Sequence, residues 1–197
     1  MEKKPKLYVI SGCNGAGKTT ASYTVLPEML ECQEFVNADE IARGLSPFNP
    51  ESVAIEAGRL MLVRIREHIS HCVDFAFETT LATRMCASFI KRAQKQGYHV
   101  TLVYLWLNSH DLAFSRVANR VASGGHNIDE EIIKRRYYSG IFNLFNLYME
   151  IVDYWMLLDN SGTVFDVIAE GIRNESIYVV NPKSYQILEQ YGRERNI

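Results

Sequence analysis

The run Gly12-Cys13-Asn14-Gly15-Ala16-Gly17-Lys18-Thr19 fits the pattern G-x-x-x-x-G-K-[ST] at every fixed position. Such a loop binds the phosphates of a nucleoside triphosphate, and the residue types say how. Gly12, Gly15 and Gly17 let the backbone turn tightly and bring its N–H groups against the phosphates, with Asn14 and Ala16 completing the cradle. Lys18 is placed to reach the β- and γ-phosphates, and the Thr19 hydroxyl to hold Mg²⁺. Thr20 offers a second hydroxyl near the α-phosphate. The side chains of Cys13 and Asn14 are read as loop filling. A helix opening near Lys18 turns its positive dipole end toward the same anion.

The motif needs a strand before it and a helix after it, and the chain supplies both. Leu7–Ser11 reads as a buried strand, and Lys18–Glu31 as a helix that Pro27 kinks or stops. Further strands are predicted at Glu34–Ala38, Asp74–Phe77, His99–Leu107 and Tyr154–Asp159. Helices are predicted at Glu51–His71, Thr83–Gln96, Leu112–Ala122 and Asp129–Glu150. Val164–Ile168 and Ile177–Val180 read as two short strands before a terminal helix, Lys183–Tyr191. Strands alternating with helices predict an α/β, three-layer P-loop fold with a mostly parallel sheet of about five strands. The expected organisation is a single P-loop kinase-like domain over residues 1–197. It carries a helical lid around residues 116–136 and a C-terminal elaboration over residues 160–197.

Composition narrows the class. Hydrophobic residues are 47% of the 197, enough for a sizeable core, and the net charge of −2 argues against a broad nucleic-acid or membrane footprint. The four cysteines match no zinc or disulfide framework, so reduced thiols are expected. No stretch reaches the ~18 apolar residues of a membrane span, and the charged N-terminus lacks a signal-peptide pattern. A cytoplasmic location is expected.

Ligands of parallel sheets bind beyond the carboxyl ends of the strands. Polar groups just after each apolar run are therefore the candidates. Asp39 follows the second strand, where a carboxylate can take the proton of an attacking hydroxyl. The competing role is an N-cap for the helix beginning at Glu40. Glu78 follows the third strand and can place Mg²⁺ or bind acceptor hydroxyls, its competing role being a second cap. Arg116 and Arg120 share a helix face, the loop Ser123-Gly124-Gly125-His126 follows, and Arg135-Arg136 lie on the next helix. That layout predicts a lid that excludes water and adds positive charge over the transferring group. The alternative is a solvated basic face paired with Asp129, Glu130 and Glu131.

Taken together, Gly12–Thr20, Val36-Asn37-Ala38-Asp39-Glu40-Ile41-Ala42, Phe77-Glu78-Thr79-Thr80, and Arg120 through Gly124-Gly125-His126 to Arg135-Arg136-Tyr137 resemble the zeta-toxin family of P-loop kinases. The chain is similar to the small stand-alone bacterial members, over about Leu7 to Asp159. The resemblance implies transfer of the γ-phosphate of ATP to a hydroxyl of a UDP-N-acetylhexosamine, with ATP and Mg²⁺ as cofactors. It implies Asp39 as the base, Lys18 and Thr19 on nucleotide and metal, and Glu78 on acceptor or metal. Arg120, with Arg136 or Arg135, would be the lid arginines, and Arg116 would join Arg120 at the nucleotide. Thr80 and Arg84 are expected on the acceptor side with Asp39 and Glu78. The family also raises an antitoxin protein as a partner, for which no docking surface is legible in the sequence.

Three other readings share parts of this pattern. A kinase for another small metabolite or a nucleic-acid end would use the same machinery with a different acceptor pocket. A nucleotide-dependent switch would need no acceptor base at Asp39. A transporter- or repair-type ATPase would need an apolar strand ending in Asp-Glu soon after Ser123-Gly124-Gly125-His126, and the next such run ends at Asp159-Asn160. His68 and His71 are read as part of an amphipathic helix, Tyr137 and Tyr138 as core, and the stripe of Phe142, Leu144, Phe145, Leu147 and Tyr148 as core or docking surface. The loop chemistry itself makes a firm prediction: Lys18→Ala should abolish nucleotide-dependent phosphoryl transfer while circular dichroism shows the fold intact. Retained turnover would refute the site.

Overall fold

The computed structural model describes residues 4–28, 30–122 and 128–194. Strand β1, Lys6–Gly12, lies in the middle of the sheet, and Leu7, Val9 and Ile10 are buried. A strand covered on both faces must be apolar on both, which is why the run does not alternate. Around it the order is β2-β3-β1-β4-β5-β6-β7, with β2 at Glu34–Val36, β3 at Phe75–Thr79, β4 at His99–Trp106 and β5 at Tyr154–Asp159. These five pair in parallel. Strand β6, Asp166–Ile172, then adds antiparallel to β5, and β7, Ile177–Val179, antiparallel to β6.

The sheet therefore has seven strands rather than about five. Both extra segments were legible as short strands; their pairing was not, because it depends on long-range packing. Gly171 of β6 sits against the Trp155 ring of β5, so close that a Cβ there would lie 2.5 Å from it. That contact lets β6 close onto β5.

The helices are α1, Lys18–Glu28; α2, Ala38–Leu45; α3, Ala54–His71; α4, Met85–Lys95; α5, His110–Ala122; and α6, Glu130–Asn143. The short α7, Met149–Ile151, and the terminal α8, Pro182–Arg193, complete the set among the described residues. Three boundaries differ from the expected ones for local reasons. The second strand stops at Val36 because Asn37 leaves it to cap α2. The long helix is preceded by a 3₁₀ turn, Pro50–Val53, with Pro50 supplying the preset φ of a first helical residue. The run Asp129–Glu150 is not one helix: Asp129 caps α6, and a π-helical turn, Leu144–Tyr148, separates α6 from α7.

Core and surface follow. Leu144 and Tyr148 are buried, while Phe142, Phe145 and Leu147 are half-buried against them. His68 is buried and stacks on Phe75 with ring centroids 5.1 Å apart, and burial lowers its pKa. His71 is exposed, and among the described residues no group of three or more His, Cys, Asp or Glu could hold a metal. All four cysteines are free, Cys13, Cys32 and Cys86 being buried and Cys72 exposed. Among the described residues no helix is long and apolar enough to cross a membrane.

Tyr137 ties α6 to the end of β4. Its hydroxyl donates to the Leu107 carbonyl at 2.7 Å and accepts from Trp106 Nε1 at 3.0 Å, all of it buried. Tyr137→Phe removes both hydrogen bonds at once and leaves a buried indole N–H unpaired. We predict a loss of about 1–3 kcal/mol in stability, read by urea denaturation. An unchanged midpoint would mean that water replaces the hydroxyl.

Candidate functional site

The phosphate-loop glycines are required by crowding as well as by φ. Gly12, the last residue of β1, has φ of 138°, and a Cβ on it would lie 2.3 Å from the Leu105 carbonyl of β4. At Gly17, φ is 78° and a Cβ would meet Asn160 Nδ2 at 2.6 Å. Asn160, just beyond β5, donates from that same nitrogen to the Ala16 carbonyl at 2.8 Å. The loop is thus held by the ends of three strands. Lys18 folds back over it, buried, with Nζ donating to the Cys13 carbonyl at 2.9 Å. Burial pushes the Cys13 thiol up to about 11, with Lys18 opposing, so the thiol stays neutral near pH 7 and offers no nucleophile.

The β1–β3 register sets Ile10 opposite Glu78, which brings the Glu78 carboxylate to the start of α1. Its Oε1 lies 3.4 Å from Lys18 Nζ. Its Oε2 accepts from the Thr19 hydroxyl at 2.7 Å and from Asn37 Nδ2 at 2.8 Å. The alternative of a cap fails for Glu78, since α4 begins only at Met85. It fails for Asp39 too. The N-cap of α2 is Asn37, whose Oδ1 accepts from the backbone N–H of Asp39 at 2.8 Å and of Glu40 at 3.4 Å. Asp39 is instead a residue of the first helical turn, exposed to the cleft.

Two cavities meet here. The first, about 410 Å³, lies over the loop residues Gly15, Gly17, Thr19 and Thr20 and is walled by Arg116 and Arg120. The second, about 490 Å³, lies over Thr80, Thr83 and Ser139, with Arg135 and Arg136 on its rim. Asn14, Lys18, Asp39 and Glu78 line both. A group passed from one cavity to the other would cross between those four residues.

Most predicted residues converge on this cleft. Arg116 and Arg120 face the loop cavity together, and Arg116 also donates to the Ser161 carbonyl at 3.1 Å. Arg136 is half-buried and donates to Asn14 Oδ1 at 3.1 Å, so the Asn14 side chain does more than fill the loop. Burial lowers the Arg136 pKa, Arg135 adds to that, and Asp39 opposes it. Arg135 is exposed but still reaches the second cavity. Arg84 is exposed and lines neither cavity, while its neighbour Thr83 lines the second. The glycine loop 123–127, with His126, lies outside the described residues.

Asn37, Asn160, Ser139 and Thr83 escaped the sequence reading. Asn37 and Asn160 each follow a strand's carboxyl end, the same positional signal that singled out Asp39 and Glu78. Asn37 also heads a helix, the usual place of an Asx cap.

The description of the zeta toxin family matches residues 1–151 of this sequence. The chain belongs to the zeta toxin family. An uncharacterized protein of Haemophilus influenzae is 33% identical over 137 residues, covering 70% of this chain and 94% of its own. Among solved structures, AvrRxo1-ORF1:AvrRxo1-ORF2 with sulphate ions superposes with a TM-score of 0.77 at 14% identity, over 100% of this chain and 67% of that one. The PezAT chromosomal toxin–antitoxin system of Streptococcus pneumoniae follows at a TM-score of 0.65 and 15% identity, over 96% of this chain and 86% of its own. At those identities the solved structures speak for the fold, which is that of P-loop kinases.

Because Asn37 rather than Asp39 caps α2, this zeta toxin family member allows a clean test of Asp39. We predict that Asp39→Asn lowers phosphoryl transfer by about 10²-fold or more, with melting temperature and nucleotide affinity nearly unchanged. Loss of melting temperature in step with activity would make Asp39 structural.

Proposed function

We propose that this protein is an ATP-dependent kinase that phosphorylates a hydroxyl of a small acceptor, with a UDP-N-acetylhexosamine as that acceptor. The observation that carries the reading is the junction of the two cavities at Lys18, Asp39 and Glu78. A hydrolytic switch has no use for a second cavity that opens on the transfer point. Family membership supports phosphoryl transfer, and the related AvrRxo1-ORF1:-ORF2 fold has been solved with ATP, at a TM-score of 0.75.

In this reading the loop amides and Lys18 hold the β- and γ-phosphates in the first cavity. The acceptor lies in the second, its hydroxyl directed at the γ-phosphorus. The acceptor oxygen forms the new O–P bond, the bond to the β–γ bridging oxygen breaks, and ADP leaves. Asp39 receives the hydroxyl proton. Arg116 and Arg120 from α5, and Arg136 from α6, supply positive charge where it builds up during transfer, the role expected of a lid. Arg135 and Arg136 on the rim of the second cavity suit an acceptor that carries phosphate of its own.

The donor set beside Lys18 fits Mg²⁺. Thr19 Oγ1 and Glu78 Oε2 are hard oxygens on neighbouring elements, and Mg²⁺ takes few protein oxygens and keeps its waters. When bound, it would supply charge neutralisation on the phosphates. An antitoxin partner belongs to the same proposal, since the similar PezAT fold comes from a toxin–antitoxin system.

The test is incubation with ATP, Mg²⁺ and a panel of UDP-sugars, read by mass, with the Lys18→Ala protein as control. We expect one added phosphate on a UDP-N-acetylhexosamine, absent in the control. ADP without phosphorylated sugar would overturn the acceptor and leave the loop chemistry standing.

A further inference from the structure

Asn37, which no motif singles out, contacts Thr19, Glu78 and the first turn of α2 together. It is 5% exposed, at the point where β2 ends and α2 begins. Its two side-chain ends serve different structures. Oδ1 holds the first turn of α2, accepting from the N–H groups of Asp39 and Glu40. Nδ2 reaches the other way, to Glu78 Oε2 at 2.8 Å and Thr19 Oγ1 at 3.4 Å. The Asn37 carbonyl accepts from Ile41 N at 3.1 Å, so its backbone is anchored to the same helix.

We propose that Asn37 is a positioning residue that sets the Thr19–Glu78 oxygen pair in register with Asp39. The proposal rests on the kinase reading above. The physical argument is one of geometry and of chemical type. A rigid amide offers an acceptor and a donor about 2 Å apart, in fixed orientation. The acceptor fixes where Asp39 starts. The donor fixes which way Glu78 Oε2 points, and through it the Thr19 hydroxyl. No other standard side chain of this size does both. Serine and aspartate keep the capping oxygen but lose the N–H donor, and aspartate adds a negative charge against Glu78. Outer partners of this kind commonly tune metal affinity about 10–100-fold.

Two variants separate positioning from stability. Asn37→Ser and Asn37→Thr both retain a capping oxygen and add no charge against Glu78, so melting temperatures should stay near wild type. Nucleotide binding is measured by calorimetry with and without Mg²⁺, and steady-state transfer with ATP and a UDP-N-acetylhexosamine. We expect the gain in nucleotide affinity from Mg²⁺ to shrink about tenfold or more in both variants, with metal-free affinity unchanged. We expect kcat to fall by a similar factor or more, with KM for the acceptor within about twofold, because the acceptor cavity keeps its other walls. A wild-type gain from Mg²⁺ in both variants would overturn the proposal. So would an equal loss of affinity with and without Mg²⁺ alongside a lowered melting temperature, which marks a purely structural role. A wild-type protein that binds no nucleotide would instead overturn the kinase reading itself.

Discussion

A carboxylate only 13% exposed needs partners, because removing a charge from water is costly unless attraction and hydrogen bonds offset it. Glu78 finds them in three residues on two elements: Lys18 and Thr19 at the start of α1, and Asn37 at the end of β2. Parallel pairing of β1 with β3 makes this possible by ending both strands at the same level. The need to satisfy this one group therefore draws together the phosphate loop, the β2–α2 junction and the end of β3. Lys18 gains as well, since its buried ammonium is held by Glu78 and the Cys13 carbonyl.

Helix α6 makes the corresponding connection on the other side of the cleft. Gly140 lets its backbone approach the Thr80 carbonyl so closely that a Cβ would lie 2.6 Å away. Asn143, buried, donates to the Leu81 carbonyl at 2.8 Å, and Tyr148 donates to the Thr83 carbonyl at 2.7 Å. Between those contacts Leu81 is fully buried with φ of 56°, a conformation a leucine keeps only when its surroundings hold it. The π-helical turn Leu144–Tyr148 lies between the Asn143 and Tyr148 contacts, and turns of this kind recur at functional sites. One turn before Gly140, Arg136 binds Asn14 of the phosphate loop. Helix α6 and the π-helical turn after it thus fix the floor of the second cavity and reach the loop that lines the first.

The fold was largely legible. Buried parallel strands are apolar throughout, so Leu7–Ile10 and His99–Leu107 announce themselves, and polar residues just beyond them mark the cleft. Asp39 and Glu78 were picked out by that rule, and both line the cleft. Their competing roles as caps could not be decided from the chain. Asn, Asp and Ser all cap helices, and Asn37 and Asp39 are two residues apart. Arg84 is placed differently. It follows the same strand as Glu78, but the β3–α4 loop turns at Leu81, leaving Thr80 and Thr83 on the cavity and Arg84 in solvent.

The sequence by itself determined the phosphate loop, the alternation of strands and helices, and the carboxylates at the strand ends. Those features depend on local spacing and on which residues tolerate burial. Tertiary structure decided that Asn37, not Asp39, caps α2, that Glu78 gathers Lys18, Thr19 and Asn37, and that β6 and β7 extend the sheet. It also decided that Arg136 meets Asn14, two residues 122 positions apart in the chain. The physical reason is common to all of these: each depends on which buried polar group finds which partner, and those partners are assembled only when distant strands end side by side.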